Sequence, residues 1–453
     1  MAVIRYENAD HRMIDPPVVG LDESFDDIIR TFPESLLNAG DDFVLDPAFS
    51  KDPLTPFKAV RDRLGYVVQG ENYTFGGIPL PNLFGFDLSR PHFCVMGDAE
   101  LEEISRDAQR FSNKGAYGAM GDLMGIVQGR KLGTIPTVED NPVHDELRSL
   151  YDTFLNPNAM GERSLKLIRP VCSWLIERMV AKLKRGEEVC LARDLAVPLT
   201  YKAMSTMLGV PQEKLKDFVR LGEVFFTSPL HPELGFKAAD DLYGFFADEV
   251  AKRKVEPRRD LVTYLINVQR NGERALSDEE VAVTARFILP AGIDTTWRGL
   301  SLVLFTLLAH PEQFAQVCAN PKELTRRAVE EGIRFAPSGF VAARICAEGK
   351  TVGGVDIPAG AHITLLQGVV NRDGRRWENP DTFDIHRDFR IHRTFNTGIH
   401  TCAGQHLARQ EMFACVEMIA ERLPNLRLAC DPKDVDVRGM QIRSPRKVPV
   451  QLA

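Results

Sequence analysis

The sequence has no uninterrupted apolar run near the length of about 18 residues that a membrane-spanning helix requires. Its first residues, MAVIRYENADHRMIDPP, are polar, so neither a signal peptide nor a membrane anchor is expected and a cytoplasmic location is. Cationic excess is also missing. Lys and Arg number 56 against 63 Asp and Glu, a formal net charge of -7, which argues against a nucleic-acid partner. The eight cysteines (94, 172, 190, 318, 346, 402, 415 and 430) lack the paired spacing of a disulfide framework or zinc cluster, so a reducing compartment is expected. No repeat, no low-complexity linker, no flavin or nicotinamide fingerprint and no CxxCxxC-type run is found.

What remains is ordinary globular composition, 44% hydrophobic and 26% charged over 453 residues. Length alone suggests about three domains at roughly 150 residues each. Without a linker, the expectation is an extended polar arm over residues 1–45 and a single domain over 46–453. Aromatic and β-branched residues broken by Gly and Pro predict short strands from Tyr73 to Met96. Residues 112–140, rich in glycine, predict a long flexible loop of the kind that serves as a lid or binding segment. From Asn141 to Ala309 the pattern is helical; strands follow Ile345, and a last helix runs from about Ala403 to Leu423. The fold class is therefore mainly α with small β-sheets.

One helix stands out. Ser277 with Glu280 forms a capping box, and the apolar pattern continues until His310-Pro311 ends it. Within it, Pro290 lacks a backbone donor and Gly292 a side chain, so a kink or opened turn is expected beside Asp294, Thr295 and Thr296. Taken alone, this segment reads as a buried helix with a threonine bonding back to a carbonyl. A second feature is Cys402, in a Gly-flanked loop just before the last helix, where backbone N–H groups would stabilise a thiolate.

These features together resemble one family. Phe395, Gly398, His400, Cys402 and Gly404 are similar to the haem-binding loop of the cytochrome P-450 haem-thiolate monooxygenases of soluble, bacterial type. Ala291, Gly292, Asp294 and Thr295 match that family's central-helix motif, and Glu331 with Arg334 its Glu-x-x-Arg motif. The resemblance covers roughly residues 45–453 and departs at Pro290, which leaves the bend of the central helix open, and at Asn396.

The resemblance implies haem b (iron protoporphyrin IX) sandwiched between the long central helix and the cysteine loop, with Cys402 as axial ligand. It implies that His144, Arg148, Arg344 and His400 hold the haem propionates, and that Glu331, Arg334 and Arg387 form a structural ion-pair network. Asp294 and Thr295 would pass protons to the oxygen side of the iron, Thr295 holding a water and Asp294 linking it to bulk sources. Phe225, Phe226, Phe287, Ala291, Phe340, Val341 and Met440 are candidate pocket residues, and their apolar character implies a small apolar substrate. Lys114 and Arg130 are candidates to pair with a substrate carboxylate. The implied reaction inserts an atom of O2 by hydroxylation, epoxidation or oxidative dealkylation. Electrons would come from a ferredoxin or flavodoxin with an NAD(P)H-dependent reductase, steered to the thiolate side by Arg390, Arg393 and Arg409. A peroxide-using enzyme and a haem-based gas sensor are the alternatives; the acid–threonine pair favours neither.

Overall fold

The computed structural model describes residues 20–31, 50–80, 82, 86–117, 125–226 and 232–453. The segment expected as an extended arm carries a helix, α1 (Glu23–Arg30). Asp22 caps it by accepting from the N–H groups of Ser24 and Phe25. Phe25, Ile28 and Ile29 recur at i, i+3 and i+4 and are buried in the main core. The apolar period was present in the sequence but too short to stand out among polar neighbours.

The helical bulk comprises α2 (Asp98–Arg106), α3 (Val143–Leu155), α4 (Arg169–Lys184), α5 (Val197–Leu208), α6 (Leu215–Phe226), α7 (Pro232–Val255), α8 (Asp278–Leu308), α9 (Pro321–Phe335) and α10 (Gln405–Arg422). Helix α8 is the axis. Its capping box is formed in both directions: Ser277 Oγ accepts from Glu280 N at 3.1 Å, and Glu280 Oε2 accepts from Ser277 N at 2.8 Å. Its 31 residues span about 46 Å. The helix continues through Pro290, and α5, α7, α9 and α10 all pack on it. Trp297, Leu300, Val303, Leu304 and Leu307 are buried in the main core along its second half. Gly292 lets α5 come close: a Cβ there would lie 2.7 Å from Met204 Sδ.

Five strands form the main sheet: β1 (Val67–Gly70), β2 (His92–Val95), β3 (Phe111–Ser112), β4 (Ala342–Cys346) and β5 (His362–Leu365). Their order is β1-β2-β5-β4-β3, antiparallel throughout except the parallel β2–β5 pair. A second core cluster, with Phe57, Phe75, Leu366 and Val369, lies against this sheet. Part of the loop expected over 112–140 is ordered: Ile126–Val127 pairs with Arg130–Lys131 as a short hairpin, and Pro136–Val138 forms a 3-10 turn. Residues 118–124 lie outside the described ones. Among the described residues, no helix is long and apolar enough to cross a membrane.

His92 and His362 face each other in register on β2 and β5, with ring centroids 5.4 Å apart. Tyr73 and Phe86 pack on them at 4.9 and 4.2 Å. Burial pushes both imidazoles down, His362 to about 4 with the help of His92 and Arg90. An unfolded histidine protonates near pH 6.5. The fold therefore favours the neutral rings, and stability is lost as pH falls from about 6.5 towards 4. Denaturant midpoints measured from pH 7 to 4.5 should fall less steeply for His362→Phe than for the parent protein; equal slopes would assign the acid sensitivity elsewhere.

Candidate active site

Between α8 and the loop before α10 lies a cleft of about 1040 Å³, open solvent at its mouth included. Its lining includes Phe287, Ile288, Ala291 and Gly292 from α8, and His400, Thr401, Cys402, Ala403 and Gly404 from the loop. His144, Arg148 and Tyr151 from α3, Met204 and Met207 from α5, and Arg344 from β4 complete it. All eight cysteines are free, and Cys402 alone is exposed. Its surface opens into this cleft. Burial by the surrounding protein pushes the thiol up, while the Gly404 N–H and the charges of Arg148 and Arg409 pull it back down.

The cysteine loop is held backbone to backbone. Cys402 N–H donates to Phe395 O at 2.9 Å, and Thr401 N–H and hydroxyl both donate to Gly398 O, at 3.2 and 2.7 Å. Gly398 has φ +75°, and a Cβ on it would meet Ser105 O of α2 at 2.1 Å, so glycine is required there. Phe395 does not line the cleft; Arg409 stacks over its ring at 4.5 Å. A Cβ on Gly404 would sit at an ordinary contact distance, 3.9 Å, from Cys402 Sγ, so space alone does not require glycine there.

One wall is strongly basic. His144 and Arg148 stand one turn apart on α3. The His144 and His400 rings meet edge to face at 4.6 Å. Arg148 Nη1 donates to Thr401 O at 2.6 Å, tying α3 to the cysteine loop. Asp145 and Asp152 pair with His144 and Arg148 but from the solvent side, themselves 62% and 61% exposed. Arg344 is buried, and its Nη1 donates to Ala343 O at 2.6 Å. Its Nη2 and the Nε2 of His400 are buried with no protein partner. Burial, with the charges of Arg344, His144 and Arg148, pushes the His400 imidazole down to about 2.

On the opposite wall, Ala291 lines the cleft; Thr295, one turn further along the helix, is exposed but is not among the lining residues. The Thr295 hydroxyl donates to Ala291 O at 2.9 Å, the back-bond the sequence suggested. Asp294 departs from expectation. It is buried, and its Oδ1 accepts from Arg298 Nε at 2.8 Å, while Arg298 Nη1 donates to Ser444 Oγ at 2.8 Å. An i,i+4 ion pair, not bulk solvent, is thus its first neighbour.

Of the candidate pocket residues, Phe287 and Ala291 line the cleft. Phe340, Val341 and Met440 do not; they are buried in the cluster against the sheet, where the Phe340 ring fills the space over Gly368. Apolar side chains carry no mark that separates core from pocket. Phe225 and Phe226 end α6, and their side chains lie outside the described residues. Asn113, Tyr117 and Thr137, from the segment expected as a binding loop, line the cleft too, whereas sequence reasoning missed Met204 and Met207 of α5. Lys114 pairs with Glu139 at 3.1 Å, and Arg130 sits in the exposed hairpin. Of the cations expected to steer an electron carrier, only Arg390 is exposed. Arg409 is held by Glu330 at 2.6 Å, and Arg393 is buried between Asp98 and Glu102.

A family model described as Cytochrome P450 matches residues 200–438. Nocardicin C N-oxygenase of Nocardia uniformis is 33% identical, covering 69% of this chain and 77% of that protein. The 6-deoxyerythronolide B hydroxylase of Saccharopolyspora erythraea is 31% identical over 69% of this chain and 76% of its own length. The chain belongs to the cytochrome P450 family. Its fold agrees: the P450 PksS structure from Bacillus subtilis superposes with a TM-score of 0.78 at 24% identity, over 90% of this chain and all of that one. The structure of P450BioI with a fatty acid-loaded acyl carrier protein gives 0.75 at 26% identity, over 90% of this chain and 99% of that one.

As a cytochrome P450 the protein is a haem-iron monooxygenase of small organic molecules that uses O2 and electrons from a redox partner. The cleft fits such a group. It offers a bare sulfur on one side, a helix with small residues opposite, and buried unpartnered donors of Arg344 and His400 at one edge, suited to carboxylates.

Behind the cysteine loop, Glu331 and Arg334 on α9 form a buried two-point pair at 2.7 and 2.8 Å. Arg387 Nε joins at 3.2 Å, and Arg334 also donates to the carbonyls of Asn371, Pro380 and Thr382. Next to it, burial pushes Glu330 up, but His392 and Arg409 hold it at about 2. Glu331→Gln strands the Arg334 charge and should lower unfolding free energy by about 3–5 kcal/mol. Lys237→Ala, which breaks the exposed pair with Asp241, should change it by less than about 1 kcal/mol. Equal losses in urea titrations would contradict the burial argument.

Proposed function

We propose that Cys402 would ligate the iron of haem b and that His144, Arg148, Arg344 and His400 would hold its propionates. The observation that carries this reading is the one exposed cysteine, lining the cleft beside the buried unpartnered donors of the Arg344 guanidinium and the neutral His400 imidazole. Haem ligated by thiolate supplies reductive activation of dioxygen and transfer of one oxygen atom to a C–H, C=C or heteroatom centre. The chain's own groups arrange the rest. Gly404 N–H and the charges of Arg148 and Arg409 stabilise negative charge on the sulfur. Ala291 and Gly292 keep the opposite face open. The Thr295 hydroxyl, freed from its bond to Ala291 O, holds a water on that face and hands on a proton. Asp294, held beside it by Arg298, links that water to proton sources.

Phe287, Ile288, Met204, Met207 and Leu155 give the cleft an apolar lining, which supports a largely apolar substrate. The family draws its electrons from a redox partner, and a ferredoxin or flavodoxin with its NAD(P)H-dependent reductase is the proposed source. Residues 46–453, with α1 packed into their core, act as one catalytic domain, and eight free cysteines suit the reducing cytoplasm.

Reducing the purified protein under carbon monoxide should give the red-shifted Soret band of a thiolate ligand, and Cys402→Ser should abolish it. A variant that kept the band would refute the ligand assignment. A small-molecule screen scored by iron spin state should then yield apolar hits. With such a substrate, Thr295→Ala is expected to keep consuming electrons while product per NAD(P)H falls and hydrogen peroxide rises. Unchanged coupling would remove Thr295 from proton delivery.

A further inference from the structure

Arg393 was expected on the surface and is instead one of the most deeply placed charges near the cysteine loop. Its Nε and Nη2 meet both oxygens of Asp98 at 2.7 Å each, and Nη2 also reaches Glu102 Oε2 at 2.6 Å. The Arg393 and Asp98 side chains are 4% and 8% exposed. Asp98 opens α2, and its own N–H donates to Asp373 Oδ2 at 2.9 Å, so the carboxylate has little freedom. Arg376 lies 3.3 Å from the same carboxylate.

The far end of α2, roughly 10 Å along its axis, touches the loop again. Ser105 Oγ donates to Asn396 Oδ1 at 3.1 Å, and Ser105 O abuts Gly398. Asn396 has φ +59° and donates its N–H to Arg393 O at 2.9 Å. From there the loop closes through Cys402 N–H to Phe395 O at 2.9 Å. One short helix therefore fixes the stem and the middle of the loop, and a shift of Arg393 passes through two backbone hydrogen bonds to the sulfur.

We infer that Asp98 and Arg393 are positioning residues that hold the cysteine loop on α2 and thereby set the geometry of Cys402 towards the iron. The inference rests on Cys402 being the iron ligand. A forked guanidinium–carboxylate pair fixes angle as well as distance, which a lysine ammonium does not.

The test compares the haem-loaded parent protein with Arg393→Lys, Asp98→Asn and Arg393→Leu. The readouts are the ferrous–carbon monoxide Soret band and the ferric/ferrous midpoint potential, alongside thermal midpoints. Arg253→Lys is the control, because Arg253 is equally buried and paired with two carboxylates, Asp260 and Glu249, away from the cleft. Arg393→Lys and Asp98→Asn should each shift the ferric/ferrous ratio at fixed potential about threefold or more. They should also divert part of the Soret intensity from the thiolate position, with Arg393→Leu doing so most. Arg253→Lys should lower the thermal midpoint alone. Should Arg393→Leu fail to fold, the two milder variants carry the comparison. If they lose stability like the control but keep the parent's band and potential, the pair is merely structural and the inference is overturned. A parent protein without a thiolate-type band would instead overturn the ligand assignment, and this inference with it.

Discussion

A sulfur that must stay uncovered imposes an unusual demand on a folded chain, because free cysteines are ordinarily among the most buried side chains. Here Cys402 is exposed and lines the cleft. Its position cannot come from packing against its own surface. It comes from the backbone of its loop, from glycines that allow close approach at 398, and from charges buried behind and beside it.

Those buried charges form a set of neighbouring locks. Glu331, Arg334 and Arg387 pin the segment that precedes the loop, Glu330 and Arg409 join α9 to α10, and Asp98 with Arg393 fastens the stem to α2. Buried ion pairs contribute little net stability relative to apolar packing, since desolvation offsets much of the Coulomb energy. Breaking one half is costly all the same, so such pairs select one arrangement over its neighbours. That is the property a cofactor cradle needs. Across the cleft the same logic recurs inside α8, where Arg298 holds Asp294 while Ala291 and Gly292 keep the facing surface small.

The basic wall differs in kind. Arg344 and His400 have buried donor atoms that no protein group satisfies, an arrangement costly in isolation. Carboxylates of a bound group would remove that cost, which couples occupancy of the cleft to the stability of the domain.

Much of this was readable from residue order. Helix α8 announces itself by its capping box and apolar period, the cysteine loop by glycines around a lone thiol, and the mainly helical class by the pattern from Asn141 onward. These are local signals, set by backbone conformation and periodicity within a few turns. Helix α1 and the hairpin at Ile126–Lys131 were too short for that kind of signal. Which phenylalanines are core and which face the cleft, why Asp294 meets Arg298, and why Arg393 is buried rather than exposed depend on partners up to 295 positions away. The sequence by itself determined the chemistry available, a thiolate, a proton-bearing helix and cationic side chains. Tertiary structure alone decided which of those groups are left uncovered and which are neutralised, because burial and Coulomb pairing depend on distance in space and not on distance along the chain.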